Sequence, residues 1–387
     1  MKKICIVTGS RAEYGLLNRL MKMVQEDGEL LLQIIATNMH LSPEFGLTYK
    51  EIEKDGFKID KKVEMLLSSD TPNATVKSVG LATIGFADAF EDLKPDLLLV
   101  LGDRYEILAA VSAALFYKIP VAHLHGGEIT EGAYDDSIRH AITKMSHLHF
   151  ASTEEYRNRI IQLGEDPERV FNLGAIGIDN IKHLKLLNKK ELEESIDFKI
   201  GKNCILVTFH PVTLENNTAE EQMNTLIQVF ESIDDLRIIF TMPNSDTNGR
   251  IIIKLINDFV QKYKEGSIAY TSLGQLRYLS VLQFIDAVVG NSSSGIIEVP
   301  TFGIPSINIG SRQSGRKKAN SVIDCEPTYD DIKNKLQIAL SLDFKNSCKN
   351  AINPYQKIDT ASKIFNIIKQ TNMGNLIQKK FYNLYNE

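Results

Sequence analysis

In the stretch Ala287-Val-Val-Gly-Asn-Ser-Ser-Ser-Gly-Ile-Ile-Glu298, a short apolar run leads through a turn of small residues into the start of a helix. Such a turn leaves backbone N–H groups without partners at a helix N-terminus. Three serine hydroxyls lie beside these groups, and no bulky side chain blocks an approaching anion. The pattern predicts a binding site for a phosphate or diphosphate, although a serine-rich N-cap alone would also explain it.

Residues that follow the turn favour the anion-binding interpretation. Glu298 offers an acceptor for a ribose hydroxyl, and residues 312–318 (Arg-Gln-Ser-Gly-Arg-Lys-Lys) offer cations that reach phosphate. We therefore predict that the ligand is held by Ser292, Ser293, Ser294, Gly295, Glu298 and Arg312.

Short apolar runs alternate with longer helical patterns along the whole chain. Several runs are apolar on both faces, as in parallel strands that helices cover on both sides. The repetition of strand, helix and strand predicts α/β units in open sheets. The predicted strands are residues 3–7, 32–37, 97–100, 120–124, 148–151, 170–173, 204–209, 238–241, 287–289 and 306–309.

The length of 387 residues predicts two domains, because a single core rarely grows beyond roughly 250–300 residues. The alternation weakens near residues 174–188 and restarts at Cys204. We predict an N-terminal α/β domain over residues 1–174 and a second α/β domain over residues 175–354. Residues 355–387 show helical spacing without strands, and we expect them to pack back on the first domain. Ligands of open α/β sheets bind beyond the carboxyl ends of the strands, so we expect the site at a cleft.

Composition and missing motifs exclude several classes of protein. The net charge of −5 argues against general binding to nucleic acid or to an anionic membrane. Four widely spaced cysteines predict reduced thiols of a cytoplasmic protein, and no stretch approaches the ~18 apolar residues that cross a bilayer. No GxGxxG follows the first strand, and the GxxxxGK[ST] and GxSxG motifs are missing, which disfavours dehydrogenases, P-loop enzymes and α/β-hydrolases.

Polar clusters follow the predicted strands at their carboxyl ends, which predicts one shared site. They are Thr8-Gly-Ser-Arg-Ala-Glu-Tyr-Gly15, Gly102-Asp-Arg104, His125-Gly-Gly-Glu128, His210-Pro-Val-Thr213 and Pro243-Asn-Ser-Asp246. Asp103 either transfers protons or caps the helix that follows it, and Arg104 is a candidate contact for an anionic substrate.

The segment Asp135-Asp-Ser-Ile-Arg-His140 opens a helix in which Asp135 and Arg139 share a face. A surface ion pair would explain the spacing, but the short distance in sequence from Glu128 favours a place at the same site. Five of the eight histidines lie between His123 and His149, yet no further ligand completes a metal set, so no metal is predicted. His210, at the end of an apolar strand, is the strongest acid–base candidate.

Taken in order, these motifs resemble those of the hydrolysing UDP-N-acetylglucosamine 2-epimerases of sialic- and legionaminic-acid biosynthesis. The resemblance covers nearly the whole chain. It implies a GT-B-like fold, with two Rossmann-type doubly wound domains facing a central cleft and the nucleotide mostly on the C-terminal one. It also implies a homodimer or homotetramer, a nucleoside-diphosphate sugar as substrate, and no cofactor.

The same resemblance assigns roles residue by residue. It places Ser292 and Ser293 on the diphosphate, Glu298 on the ribose, and Asn244 and Asp246 near the sugar or nucleotide. It directs Arg11, Arg104, His210 and Arg312 to phosphate or uridine-side groups. It gives the proton transfers to Asp103, Asp135 and His210, and sets Arg139 among the catalytic residues.

One position departs from the family pattern. Many relatives have a catalytic Glu where this chain has His125. Either His125 takes over the acid–base role, or Glu128, Asp103 and Asp135 cover it.

The resemblance implies conversion of UDP-N-acetylglucosamine to N-acetylmannosamine and UDP. A base removes the proton at C2 while the nucleoside diphosphate leaves C1, and the resulting 2-acetamidoglucal adds water. The same reaction on UDP- or GDP-linked N,N'-diacetylbacillosamine is an alternative, as are a GT-B glycosyltransferase and a non-catalytic sugar-nucleotide sensor.

Overall fold

The computed structural model describes residues 1–215 and 218–384, and it divides into two compact units. The first unit contains Met1–Glu128, Asp135–Asn180 and the described residues from Tyr355 onward. The second unit contains Ile129–Tyr134 and Ile181–Pro354.

Both units are built on parallel sheets. The strands are β1 (Lys2–Thr8), β2 (Leu30–Thr37), β3 (Lys61–Val63), β4 (Leu97–Leu101), β5 (Val121–Leu124), β6 (Leu148–Ala151), β7 (Val170–Asn172), β8 (Cys204–Thr208), β9 (Arg237–Thr241), β10 (Ser267–Tyr270), β11 (Ala287–Gly290), β12 (Ser306–Ile309) and β13 (Val322–Cys325). The first sheet has the order β3-β2-β1-β4-β5-β6-β7, and the second has the order β10-β9-β8-β11-β12-β13.

Helices connect the strands. They are α1 (Arg11–Glu26), α2 (Tyr49–Lys54), α3 (Pro72–Leu93), α4 (Tyr105–Phe116), α5 (Asp135–Met145), α6 (Glu154–Gln162), α7 (Ile176–His183), α8 (Lys189–Ser195), α9 (Thr218–Glu231), α10 (Gly249–Lys262), α11 (Gly274–Val281), α12 (Ser294–Ile297), α13 (Tyr329–Leu340), α14 (Leu342–Cys348) and α15 (Thr360–Gln370). Short 3₁₀ turns cover Asn38–Leu41, Pro43–Phe45, Pro167–Arg169, Val299–Phe302 and Met373–Asn375. Within the described ranges, no helix is both long enough and apolar enough to cross a membrane.

The strand order confirms the predicted α/β class with two doubly wound sheets. Each sheet reverses its direction of winding once, between β1 and β4 in the first unit and between β8 and β11 in the second. At such a switch point the connections leave on opposite sides and open a crevice at the carboxyl ends of the strands. The loops after β4, β8 and β11 carry Asp103, Arg104, His210, Ser292 and Ser293.

Burial explains which strands the sequence predicted. The ten predicted strands are all present, and the central ones are buried on both faces, as in β1, where Ile4, Cys5 and Ile6 have no exposed surface. The three strands that were not predicted, β3, β10 and β13, all lie at sheet edges. An edge strand pairs on one side only and tolerates polar residues, so its sequence lacks the continuous apolar run.

The division into units differs from the predicted boundaries at two places. The boundary falls inside α7, after Asn180 rather than after residue 174. In addition, Ile129–Tyr134 belongs to the second unit. No change in amino-acid composition along the sequence indicated this assignment. Residues from Tyr355 onward pack with the first unit, where Ile364 and Ile368 of α15 share a core with Leu17 and Leu20 of α1.

Candidate active site

The switch point of the second unit is organised by Asn291. Gly290 has a φ of +141°, and a Cβ at this position would overlap the carbonyl oxygen of Thr208, so only glycine fits. The side chain of Asn291 is fully buried and forms two hydrogen bonds with the backbone of His210. Asn291 Oδ1 accepts from His210 N at 2.7 Å, and Asn291 Nδ2 donates to His210 O at 2.8 Å. The loops after β8 and β11 are therefore tied together at the crevice.

The serine turn, residues 291–295, continues into α12, which is a single helical turn. The backbone N–H groups of Ser292, Ser293 and Ser294 donate to no acceptor in the described part of the chain. Ser293 is the N-cap residue, but its side chain makes no capping hydrogen bond. Ser294 Oγ already accepts from Tyr278 OH at 2.8 Å. The N-cap alternative therefore does not account for the hydroxyls of Ser292 and Ser293.

The cation predicted to reach phosphate lies beside this turn. Arg312 Nη1 and Gln313 Nε2 each donate to Asn291 O at 3.1 Å. Arg312 Nε is buried and has no hydrogen-bond partner among the described residues. Glu298 is buried directly after α12. The site therefore combines backbone amides, hydroxyls and a guanidinium, which are donors that suit a diphosphate.

The side chain of His210 has a defined tautomer. Asn244 N donates to His210 Nδ1 at 3.4 Å, so the proton of the neutral imidazole lies on Nε2. Asp246, in the same loop after β9, is buried. His210 is therefore arranged to donate a proton or a hydrogen bond from Nε2.

A six-residue segment of the second unit packs beside Arg312. Glu131 N donates to Ser314 O at 3.2 Å, and Leu214 N donates to Gly132 O at 3.3 Å. A Cβ on Gly132 would lie 2.7 Å from Ser311 O, so the approach requires glycine.

In the first unit, the loop after β4 is held by His123. His123 Nε2–H donates to Gly102 O at 2.7 Å, and burial lowers the pKa of His123 to about 3, so the ring stays neutral. The N-cap residue of α4 is Arg104 rather than Asp103. The predicted alternative that Asp103 caps this helix is therefore wrong.

Asp103 instead pairs with a buried cation, Arg139, whose side chain is 1% exposed. Arg139 Nη2 donates to Asp103 Oδ2, and Arg139 Nη1 donates to Glu128 O at 2.8 Å and to Asp136 Oδ1 at 3.3 Å. The surface ion pair considered for this helix is wrong for Arg139, because the guanidinium has almost no contact with solvent. Asp135, the first residue of α5, is buried next to Asp136 in sequence.

His125 and Glu128 form a second pair in the same unit. Glu128 Oε1 accepts from His125 Nδ1–H at 2.8 Å and from Ser152 Oγ at 2.8 Å. His125 has a φ of +65°, an uncommon conformation for a residue other than glycine. His125 Nε2 is buried and has no hydrogen-bond partner among the described residues. In the neutral imidazole, Glu128 therefore fixes the tautomer with the proton on Nδ1 and the lone pair on Nε2.

Arg11 and Arg104 both pair with acids of the first unit. Arg11 Nε lies 2.5 Å from Glu51 Oε2, and Arg104 Nε donates to Glu106 Oε1 at 2.9 Å.

The remaining predicted residues of the first unit are Asp103, His125, Glu128, Asp135 and Arg139, which we call the acid–base cluster.

The predicted residues thus fall into two sets. The first unit holds Arg11, Asp103, Arg104, His125, Glu128, Asp135 and Arg139, and the second holds His210, Asn244, Asp246, Ser292, Ser293, Ser294, Gly295, Glu298 and Arg312. Sequence reasoning missed Ser152, Gln313 and the role of Asn291. Ser152 follows β6 and Asn291 follows β11, so polar residues at strand ends were the signal that could have found them.

Comparisons with known proteins place the chain in a family. The family model described as UDP-N-acetylglucosamine 2-epimerase matches residues 22–369. The chain is 46% identical over 384 residues to the GDP/UDP-N,N'-diacetylbacillosamine 2-epimerase (hydrolyzing) of Campylobacter jejuni, covering 99% of each chain. It is 32% identical to a UDP-N-acetylglucosamine 2-epimerase of Neisseria meningitidis serogroup B, covering 88% of each chain.

A solved structure supports the fold. The UDP-GlcNAc 2-epimerase from Neisseria meningitidis bound to UDP-GlcNAc has a TM-score of 0.79 at 17% identity, covering 95% of this chain and 100% of that one. The predicted GT-B-like fold is confirmed. The chain belongs to the UDP-N-acetylglucosamine 2-epimerase family.

Replacement of Asn291 by alanine is expected to destabilise the second unit. The change leaves His210 N and His210 O buried without partners, and each orphaned group costs about 1–3 kcal/mol. Urea denaturation should show a lower free energy of unfolding. The exposed Asn346→Ala variant serves as the control and should unfold like the wild type. Equal stability of the two variants would contradict the role of Asn291.

Proposed function

We propose that this protein is a hydrolysing 2-epimerase that acts on a 2-acetamido sugar linked to a nucleoside diphosphate. The observation that carries the proposal is the His125–Glu128 pair, in which an oriented imidazole presents a buried, unpartnered Nε2. Family membership supports the reaction class. The serine turn supports a diphosphate as the leaving group.

In the first step, His125 Nε2 removes the proton from C2 of the sugar. The electron pair of the C2–H bond forms the C1=C2 double bond, and the C1–O bond breaks to release the nucleoside diphosphate. Glu128 stabilises the imidazolium that forms, because its carboxylate accepts the Nδ1–H. The product of this step is a 2-acetamidoglucal.

In the second step, water adds to C1 and a proton adds to C2 from the opposite face. Asp103 and Asp135 are the proposed proton donors and acceptors of this step. Asp103 is oriented by Arg139, and its side chain is 23% exposed, so it can exchange protons with water. The sugar is released with inverted configuration at C2.

The second unit is proposed to bind the leaving group. Negative charge builds on the diphosphate as the C1–O bond breaks, and donors fixed in advance stabilise that charge more than they stabilise the bound substrate. The amides of Ser292 and Ser293, Arg312 and the Nε2–H of His210 are the donors for this role. Glu298 would accept from the ribose, and Asn244 and Asp246 would lie near the nucleotide or sugar.

N,N'-diacetylbacillosamine linked to UDP or GDP is the proposed first substrate. The Campylobacter relative that carries this activity in its name matches 99% of the chain at 46% identity, whereas the Neisseria UDP-N-acetylglucosamine enzyme is 32% identical. UDP-N-acetylglucosamine, with N-acetylmannosamine as product, is the second candidate, as in sialic-acid biosynthesis.

Incubation in D₂O with each of the three sugar nucleotides, followed by NMR, tests the reaction and the substrate. We expect release of a free sugar that carries deuterium at C2 and the inverted configuration, fastest with a diacetylbacillosamine nucleotide. Faster turnover of UDP-N-acetylglucosamine would reverse the order of substrates. Transfer only to an added acceptor would indicate a glycosyltransferase, and binding without turnover would indicate a sensor.

Replacement of His125 by glutamine is expected to lower kcat by about 10²–10⁴-fold, because the base is lost while a hydrogen bond to Glu128 is kept. Steady-state kinetics measures this loss. His147→Asn is the matched control, since His147 is equally buried and its Nδ1 only accepts from Val121 N at 3.1 Å. A His125→Gln variant as fast as this control would move the first proton transfer to Asp103 or Asp135.

We also propose that the protein forms a homodimer through the first unit. The helices α3 and α4 pack together, and large apolar side chains are exposed on both, Val76, Leu81 and Ile84 on α3 and Phe116 on α4; these side chains are the proposed contact surface. A second copy of this surface is the occupant that the family resemblance favours.

A charge placed on this surface should dissociate the dimer. Ile84→Lys is expected to halve the mass measured by light scattering, since a buried, unpaired ammonium would oppose association. Ile352→Lys, on an exposed isoleucine of the second unit, is the control. An unchanged mass for Ile84→Lys would place the interface elsewhere.

A further inference from the structure

Two glutamates that the proposed mechanism does not use meet at the switch point of the first sheet. Glu13 lies in the first turn of α1, after β1, and Glu106 lies in the first turn of α4, after β4. The strands β1 and β4 are neighbours. Glu13 is 6% exposed and Glu106 is fully buried. Two acids therefore lie away from water at the place where open α/β sheets bind ligands.

The two carboxyl groups pack against the same glycine. Glu13 Oε2 accepts from Gly9 N at 2.6 Å, and a Cβ on Gly9 would overlap Glu106 Oε1. Glu106 Oε1 also accepts from Arg104 Nε at 2.9 Å. The other two oxygens, Glu13 Oε1 and Glu106 Oε2, are buried without a hydrogen-bond partner in the described ranges. A proton on one carboxyl group would remove a negative charge that neither of these buried oxygens can compensate with a hydrogen bond.

Helix capping explains only part of this arrangement. Glu13 stands three residues after the N-cap Ser10, where a glutamate commonly accepts from a backbone amide. A capping glutamate of this kind needs no second acid. Glu106 makes its hydrogen bond to a side chain, that of Arg104.

The electrostatics favour a proton on the pair. Burial, together with the charge of Glu106, raises the pKa of Glu13 to about 8, against the opposing effect of Arg104. Two adjacent carboxylates in a medium of low polarity do not both ionise readily. Two other groups lie nearby. His40 stays neutral because burial lowers its pKa to about 4, and Arg11 is paired with Glu51.

We propose that Glu13 and Glu106 share one proton, and that this proton makes them positioning residues for Arg104. With the proton in place, the net charge of the group formed by Glu13, Glu106 and Arg104 is zero. Loss of the proton adds a negative charge beside Arg104 and weakens its attraction for an anionic substrate. The role of Arg104 in substrate binding rests on the proposed function, whereas the shared proton does not.

A titration of the substrate-free protein tests the shared proton. In protein labelled with ¹³C at the glutamate carboxyl carbon, we expect one carboxyl signal to titrate near pH 8. Glu13→Gln should remove this signal, since glutamine can still accept from Gly9 N but carries no titratable proton. Glu53→Gln, on an exposed acid paired with Lys62, is the control and should leave the signal in place. If no glutamate titrates above pH 7, the proposal is overturned.

Stability gives a second readout that needs no substrate. The pKa of Glu13 in the folded state, about 8, exceeds its ordinary value of 4.5. At a pH between these two values, the folded protein therefore binds more protons than the unfolded protein. As a result, the free energy of unfolding falls as the pH rises from 4.5 to about 8. Glu13→Gln should remove this loss, so its melting temperature should exceed that of the wild type by a margin that grows with pH. A constant margin would contradict the shared proton.

Kinetics tests the positioning role. In the wild type, KM should rise about three- to tenfold between pH 7 and pH 9, as one charge is added near Arg104. This rise should be absent in Glu13→Gln, while Glu13→Ala should raise KM at every pH with a smaller effect on kcat. A titrating glutamate with a KM that does not change with pH would overturn the positioning role alone. If the protein turns over no sugar nucleotide, the proposed function is wrong. The NMR titration then still tests whether Glu13 and Glu106 share a proton.

Discussion

The acid–base cluster depends on the burial of one cation, Arg139. A guanidinium removed from water is tolerated only when its donors are paired, because an unpaired buried charge costs several kcal/mol. The guanidinium donates to Asp103 Oδ2, to the backbone carbonyl oxygen of Glu128 and to Asp136 Oδ1. One side chain therefore connects the loop after β4, the loop after β5 and the start of α5. The position of Glu128 in turn sets His125. The geometry of the proposed base is thus fixed by a residue that need not touch the substrate.

The two switch points use different chemistry for different tasks. In the first unit, the carboxyl groups of Asp103, Glu128 and Asp135 and the imidazole of His125 are the groups proposed to transfer protons. In the second unit the serine turn offers amides and hydroxyls, and Arg312 and His210 are further hydrogen-bond donors beside them. Proton transfer needs groups of the first kind, and a departing diphosphate needs donors of the second kind. The duplicated fold therefore supplies the same crevice twice, with separate side chains for each task.

The sequence predicted the central strands, and it showed polar clusters at their ends, because both have local signals. A buried parallel strand is a continuous apolar run, and a polar cluster at its end is visible in the next few residues. The edge strands β3, β10 and β13 lack such a run, and the pairs that matter most are distant in sequence. Asn291 bonds His210 across 81 positions, and Glu13 meets Glu106 only because β4 lies beside β1. Strand order, which no local pattern encodes, was needed to find them.

The His125 position shows how one substitution changes the task of its neighbour. With a histidine there, Glu128 accepts the Nδ1–H and carries the negative charge of the pair. When Nε2 takes a proton, the pair becomes an imidazolium and a carboxylate, which attract each other strongly in a buried site. A glutamate at the same position would place two carboxyl groups side by side; one of them would hold a proton, and only the other could act as a base. The imidazole avoids that competition, because its proton transfer creates opposite charges on the two side chains.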